Sequence, residues 1–442
     1  MAIPSFKTRV LLVAPECSPN RLGVAADAFF LSSHLAEREE LSLTVVTDAR
    51  NRKDLRRTRL AETSRVVLVE STPAEGTWSA YLERLGQRPG PWVPRLLVDS
   101  VAHQQFELAV ATKLQPEIAG GQFDLIHRLN IRSPQIPSPL ASKCDVPLIL
   151  GPLSQAPPWP PEFRALRRAV SDRFGWIRWF TRWQFAFLKT YRQAHAVICA
   201  NQHTAQAIPK RYQGQLFRLP EHGLDPKIFP GDRNWTPPKQ GPFRFVTTGN
   251  IAVESGIDLT IEALRELPSL RHVELRVIGD GAFRTEAEQL VQAAGLGDRV
   301  RFLGLLDRSN TIHELTHAHA YVAPHLCGFE SAPVIDALAC GLPAIVVDYG
   351  APGQLVNPQC GIAVKMQPAE TLIGELRAAM ESIVQEPRRC RELSHHAIEQ
   401  VCRPYSWPVL AAKVSQIYHH VLEPEVMADT AERQLAAFAT GR

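Results

Sequence analysis

The chain has 442 residues, too many for one ordinary hydrophobic core, so at least two domains are expected. Hydrophobic residues make up 45% and charged residues 21%, the balance of a folded protein and not of a disordered or fibrous one. A net charge of +4 is too small at this size to mark a nucleic-acid binder, and no apolar run approaches the ~20 residues that cross a bilayer.

From Met1 the chain enters a strand-like run without an h-region or a small-residue cleavage site, so no secretory leader is expected. Short apolar, β-branched runs follow at Val10–Ala14, Leu43–Thr47, Val66–Val69, Leu125–His127, Pro147–Leu150 and Ala196–Ala200. A second series occupies Phe243–Thr248, Leu275–Gly279, Val300–Leu303, Ala320–Ala323 and Ala344–Val347. Between them Ala26–Leu35, Asp258–Leu267, Phe283–Ala294 and Val334–Cys340 carry apolar residues at helical spacing. This alternation predicts an α/β protein with doubly wound parallel sheets. Phe229–Pro242, rich in Pro, Gly and polar residues, reads as a linker. It separates an N-terminal Rossmann-like domain (1–228) from a C-terminal one (243–405). Residues 406–442 are expected to form a helix returning to the first domain, plus a tail. Ligands of such sheets bind at the C-terminal strand ends, which places the expected site in a cleft between the two domains.

The eight cysteines are scattered, several in apolar contexts such as AVICA and ALACG, which implies buried thiols, no disulfide framework and a reducing, cytoplasmic setting. A dehydrogenase would need a G-x-G-x-x-G turn after the first strand. Here Ala14 to Gly23 contains one glycine, which argues against that class.

Four segments of the second half carry the chemistry. Phe245–Gly249 is a strand ending in glycine, followed by Asn250 and by Glu254-Ser255-Gly256 opening a helix. Val277-Ile278-Gly279-Asp280-Gly281 and Arg301-Phe302-Leu303-Gly304 are further strand ends. Phe329–Ala344 contains Asp336-Ala337-Leu338-Ala339-Cys340-Gly341, and Asp348–Gly353 follows. In order and spacing these segments resemble the donor half of glycosyltransferase family 4, the group 1 glycosyltransferases with the GT-B fold. The resemblance covers nearly all of 243–421.

That resemblance implies two Rossmann-like domains facing a central cleft. It implies retaining, metal-independent transfer of a hexose from a nucleotide-diphosphate sugar, with no cofactor and no metal. Negative charge grows on a departing diphosphate, and backbone amides at helix starts stabilise it. The implied donor-binding residues are Gly249, Asn250, Ser255, Gly279, Phe302, Gly328, Phe329, Ser331 and Asp336, with Asp336 accepting the ribose hydroxyls. The competing reading of Asp336 is a carboxylate placed near the positive end of a helix. His127, at the end of the strand Leu125–His127, is implied to contact the donor sugar, and Glu330 to orient it. Gly23 stands in the family's first, glycine-rich loop.

Two departures stand out. Asn250 and Ser255 occupy positions where the family has Arg and Lys against the diphosphate. Arg284 and Arg21 are the candidate replacements. The family's first acidic position falls on Gly328, leaving Glu330 displaced by two. The expected acceptor is a glycan or lipid-linked glycan. Arg164–Arg192 interleaves Arg with Trp and Phe, which suits either an anionic membrane at the inner face or a helix packed on its own domain. No nucleic-acid partner is expected. The alternative to an enzyme of the hexosyltransferase class is a catalytically weakened or non-catalytic homologue that binds a sugar or a partner. A phosphorylase or epimerase on the same scaffold is the third class.

Overall fold

The computed structural model describes residues 7–71, 92–129, 134–164, 166, 185–225, 227–229, 235–266, 272–328 and 331–423. Two compact units emerge. Unit 1 comprises Met1–Gln155, Ser171–Gly223 and Trp407–Arg442, and unit 2 comprises Ala156–Val170 and Leu224–Ser406.

Unit 1 is built on strands β1 (Thr8–Val13), β2 (Leu41–Asp48), β3 (Arg65–Val69), β4 (Leu125–Arg128), β5 (Leu148–Leu153), β6 (Ala194–Cys199) and β7 (Gln215–Arg218). They form one sheet in the order β3-β2-β1-β4-β5-β6-β7, every pair parallel. A parallel sheet is covered on both faces, so its central strands are apolar throughout rather than alternating. In β1, Val10 and Leu12 face a cluster that holds Leu31 and Leu35 of α1 (Val24–Ala36). Leu11 and Val13 face the opposite cluster, with Phe106, Val110 and Leu114 of α2 (Trp92–Ala119).

Unit 2 holds β8 (Phe243–Thr248), β9 (Val273–Ile278), β10 (Val300–Gly304), β11 (Ala320–Ala323), β12 (Ala344–Val347) and β13 (Gly361–Val364) in the order β10-β9-β8-β11-β12-β13. Its helices used below are α3 (Ile257–Arg265), α4 (Arg284–Ala293), α5 (Arg308–His317), α6 (Ala332–Ala339) and α7 (Ala369–Gln385). The chain leaves β8 toward β9 on one side and reaches β11 on the other. The switch point of the sheet therefore lies between β8 and β11, where a crevice opens at the strand C-termini.

The strand runs named in the sequence fall on β1 to β6 and β8 to β12, and the two outer strands β7 and β13 were not among them. The segment read as a linker needs correction. Trp235 within it is 1% exposed, packs in the core of unit 2 and donates its indole N–H to the His319 carbonyl at 2.8 Å. A large aromatic gains too much from burial to stay in a solvated hinge. Unit 2 also takes in Ala156–Val170, which the sequence reading left within 1–228. After unit 2 the chain re-enters unit 1 as α8 (Trp407–Leu422), whose Leu410 and Val414 join the cluster around α1. Among the described residues no helix is long and apolar enough to cross a membrane. Most of Arg164–Arg192 lies outside the described residues.

Candidate functional site

The ends of β8, β9 and β10 are joined by backbone hydrogen bonds, and at Gly279 the strand ends come too close for any side chain. The Gly249 N–H donates to the Ile278 carbonyl at 3.0 Å and the Gly279 N–H to the Gly304 carbonyl at 2.8 Å. Gly279 has φ +136°, and a Cβ there would come within 1.9 Å of the Gly249 carbonyl oxygen. The loop after β8 is locked to its neighbours in the same way. Ile251 N–H donates to the Asp280 carbonyl at 3.0 Å, and Leu326 N–H to the Glu254 carbonyl at 2.9 Å. Gly256, at φ +67°, lies so close to the Pro324 carbonyl that a Cβ would approach it to 2.3 Å.

These loops enclose a pocket at the switch point, lined among others by Thr248, Gly249, Asn250, Ser255, Pro324 and His325. The helix α3 begins at its edge with Gly256 as N-cap, which has no side chain to cap it, while the carboxylate of Asp258 in the first turn accepts from the Asp258 and Leu259 N–H groups. A helix start, with the dipole behind it, favours an anion.

Of the expected donor-binding residues, Gly249, Asn250 and Ser255 come together in this pocket, and Gly279 supports it from behind. Asn250 is exposed, its Oδ1 lying over Gly281. Ser255 is less available than the sequence suggests. Its hydroxyl donates to the Ala252 carbonyl at 2.6 Å, which commits its one proton to the turn. Among the described residues that line the pocket there is no Lys or Arg, and His325 is the titratable one. Arg284 does not replace the missing cations. It pairs with Glu288 at 2.8 Å and Asp280 at 3.7 Å, beside Gly304 at the end of β10. Arg21 belongs to unit 1, bonded to Asn51 and 3.9 Å from Asp54.

Asp336 sits on α6 with 14% of its side chain exposed, and its two oxygens accept from Arg308 at 3.2 and 3.3 Å. Arg308 opens α5, whose N-cap Asp307 accepts from the Asn310 N–H at 2.8 Å. Gly328, at the position of the family's first acid, has no room for a side chain. A Cβ there would lie 2.9 Å from His325 Cβ, 3.0 Å from Cγ and 3.2 Å from Nδ1. Ser331 is the N-cap of α6 without a side-chain cap bond. Phe302 is partly buried against the core of unit 2. Phe329 and Glu330 lie outside the described residues.

His127 is fully buried in unit 1. Its Nε2 lies 2.8 Å from the Gly151 carbonyl, which can only accept, so Nε2 carries the proton. Nδ1 then accepts from the Tyr418 hydroxyl at 2.6 Å. Burial pushes its pKa down to about 4, and the ring is neutral. With both nitrogens used, the expected sugar contact gives way to a structural one that ties β4 to α8. Tyr418→Phe is expected to leave Nδ1 buried without a donor and to cost ~1–3 kcal/mol in urea unfolding. Gly23 is the N-cap of α1 at φ +70°, with open space where a Cβ would stand.

Sequence reasoning missed His325, Arg308 and Tyr418. For His325 the signal was present: a polar residue directly after the buried strand Ala320–Ala323.

Residues 231–400 match the family described as glycosyl transferases group 1. The chain is 24% identical over 204 residues to an MMP alpha-(1->4)-mannosyltransferase of Mycolicibacterium hassiacum, covering 45% of this chain and 47% of that one. It is 29% identical over 168 residues to a phosphatidyl-myo-inositol mannosyltransferase of Mycolicibacterium smegmatis, covering 38% and 42%. The chain thus spans about half or less of the curated relatives it matches. Its fold is similar to that of a sucrose-phosphate synthase from Thermosynechococcus elongatus (TM-score 0.68, 18% identity, 95% of this chain and 100% of that one). Anabaena HepE, solved with UDP and glucose, is similar at TM-score 0.56, 15% identity and 93% and 99% coverage. The two parallel-sheet α/β units have the GT-B fold.

Proposed function

We propose that this protein is a retaining, metal-independent glycosyltransferase that moves a hexose from a nucleotide-diphosphate sugar to a glycan or lipid-linked glycan. The observation that carries the reading is the pocket around Gly249 at the β8/β11 switch point, inside the stretch that matches group 1 glycosyl transferases. As the bond from the anomeric carbon to the phosphate oxygen breaks, its electron pair goes to the diphosphate. In this reading the N-terminus of α3, at the pocket edge, presents backbone N–H groups to that charge. Asp336, which pairs with Arg308, in the same reading accepts the ribose hydroxyls.

Calorimetry with UDP, GDP and ADP tests the reading, and binding of none of them would end it. Asp336→Ala is expected to weaken the preferred nucleotide at least ~10-fold, about 1.4 kcal/mol. The wild type should prefer the ribonucleotide to its 2′,3′-dideoxy analogue, and the variant should lose that preference. An equal loss on Arg308→Ala, with the preference intact in both, would reduce Asp336 to a structural partner of Arg308.

A second reading is a weakened or non-catalytic homologue. It is favoured by the pocket itself, where Asn250 is uncharged and the Ser255 proton is committed. Binding without hydrolysis or transfer of any nucleotide sugar would establish it. Association with an anionic membrane through Arg164–Arg192 is a separate proposal. Sedimentation with acidic vesicles at low salt, lost at high salt, would support it, because exposed charges are screened.

A further inference from the structure

His325 stands in the loop after β11 and lines the pocket together with Gly249, Asn250 and Ser255. Its position is fixed from two sides. The Leu326 N–H is bonded to the Glu254 carbonyl at 2.9 Å, and Gly328 lies so close that a Cβ there would meet His325 Cβ at 2.9 Å and Cγ at 3.0 Å. The imidazole thus crowds the position of the family's first acid, in a pocket with no Lys or Arg among its described lining residues.

We propose that His325 binds the diphosphate of the donor in this protein, replacing the missing cations, and that donor binding takes up a proton at this ring. The proposal rests on the donor-site reading given above.

The free ring is neutral at physiological pH, since burial pushes its pKa down to about 4. Other titratable groups on the surrounding elements are Glu254 and Asp258 beside Gly256, Cys327 in the same loop, Tyr349 and Asp336. Burial holds Asp258 above its usual range, Tyr349 donates to the Pro158 carbonyl, and Asp336 is held by Arg308. None of them shifts His325, whose depression comes from burial alone. A neutral imidazole can still donate one N–H to a phosphate oxygen. A diphosphate at that distance favours the charged form and raises the pKa. The raised value belongs to the complex, so affinity increases as pH falls through it and levels off near the free value of about 4. A histidine in this role gives weaker binding at neutral pH than two fixed cations and makes it pH-dependent.

The probe is an intact nucleotide sugar, UDP-glucose or GDP-mannose, whose phosphodiester oxygens do not titrate between pH 5 and 8. A nucleoside diphosphate would confuse the result with its own pKa near ~6. Isothermal titration from pH 8 to 5 is expected to show roughly tenfold tightening for the wild type. It should also show proton uptake, seen as a dependence of the heat on buffer ionisation enthalpy. His325→Gln, which keeps a neutral donor of similar size, is expected to bind with a flat pH profile and no proton uptake. Its affinity for the bare nucleoside should be unchanged. His325→Asn serves if the glutamine variant melts early. Wild-type binding that is flat in pH, or that His325→Gln leaves unchanged at pH 5, overturns the role of His325 while leaving the donor site intact. Failure of the wild type to bind any nucleotide sugar at any pH overturns the donor-site reading, and this inference with it.

Discussion

Replacing Glu107 by alanine is expected to cost unit 1 about 3–5 kcal/mol, among the largest single losses in the chain. Glu107 on α2 forms an ion pair with Arg128 at the end of β4, their side chains only 1% and 2% exposed. Arg128 also donates to the Ile136 and Pro137 carbonyls at 3.1 and 3.2 Å, and Ser138 donates its hydroxyl to Glu107. Those three partners fix the loop that follows β4. The pair itself contributes little net stability, because two charges had to be taken out of water. Removing one partner is different: the guanidinium stays charged and stays buried, with only carbonyl dipoles around it. Urea unfolding should therefore show a large drop for Glu107→Ala. The double change Glu107→Leu with Arg128→Met should recover much of it, since no charge is left inside. A single-variant loss below 1 kcal/mol would mean that water reaches the pair.

Arg128 also shows where reading the sequence stopped short. Leu125–His127 was legible as a buried strand because its residues are apolar and β4 is central in its sheet. The histidine drew the functional reading, and the arginine beside it drew none. Nothing local reveals that Glu107, on a helix closed against β4, neutralises it. His127 was misread for a related reason: its partner Tyr418 lies 291 residues away on α8. The strands β7 and β13 were missed because they are outer strands, with QLFR and GIAV too short and too mixed to stand out. Gly223 carries a constraint of the same long-range kind, set by a residue of α8. A Cβ there would meet the Trp407 ring at 2.6–2.8 Å. What sequence gave reliably was the order of glycine-terminated strands in unit 2. Crowding of backbone against backbone at a strand end excludes every other residue, and that constraint is local.

The second large effect is expected at one of those glycines. Gly279→Ala should destabilise unit 2 by about 3–5 kcal/mol and abolish binding at the switch-point pocket. Two costs combine. At φ +136° an L-residue is strained by ~1–3 kcal/mol, and a methyl 1.9 Å from the Gly249 carbonyl oxygen adds an overpacking cost of similar size. Neither strand end can easily yield. Gly249 is bonded through its N–H to Ile278, and Gly279 through its own to Gly304, so a shift in one breaks the other. Two other glycines separate the contributions. Gly295, at φ +68°, has open space around a Cβ, so Gly295→Ala should cost only the conformational term, ~1 kcal/mol. Gly374 lies inside α7 with nothing within 4 Å of a Cβ, and Gly374→Ala should stabilise by ~0.5–1 kcal/mol through helix propensity alone. Urea midpoints for the three variants should therefore fall on both sides of the wild type, with Gly279→Ala far below the others. If Gly279→Ala unfolds at the same midpoint as Gly295→Ala, the strand ends have room to part. The close contact between Gly249 and Gly279 would then not be what shapes the pocket.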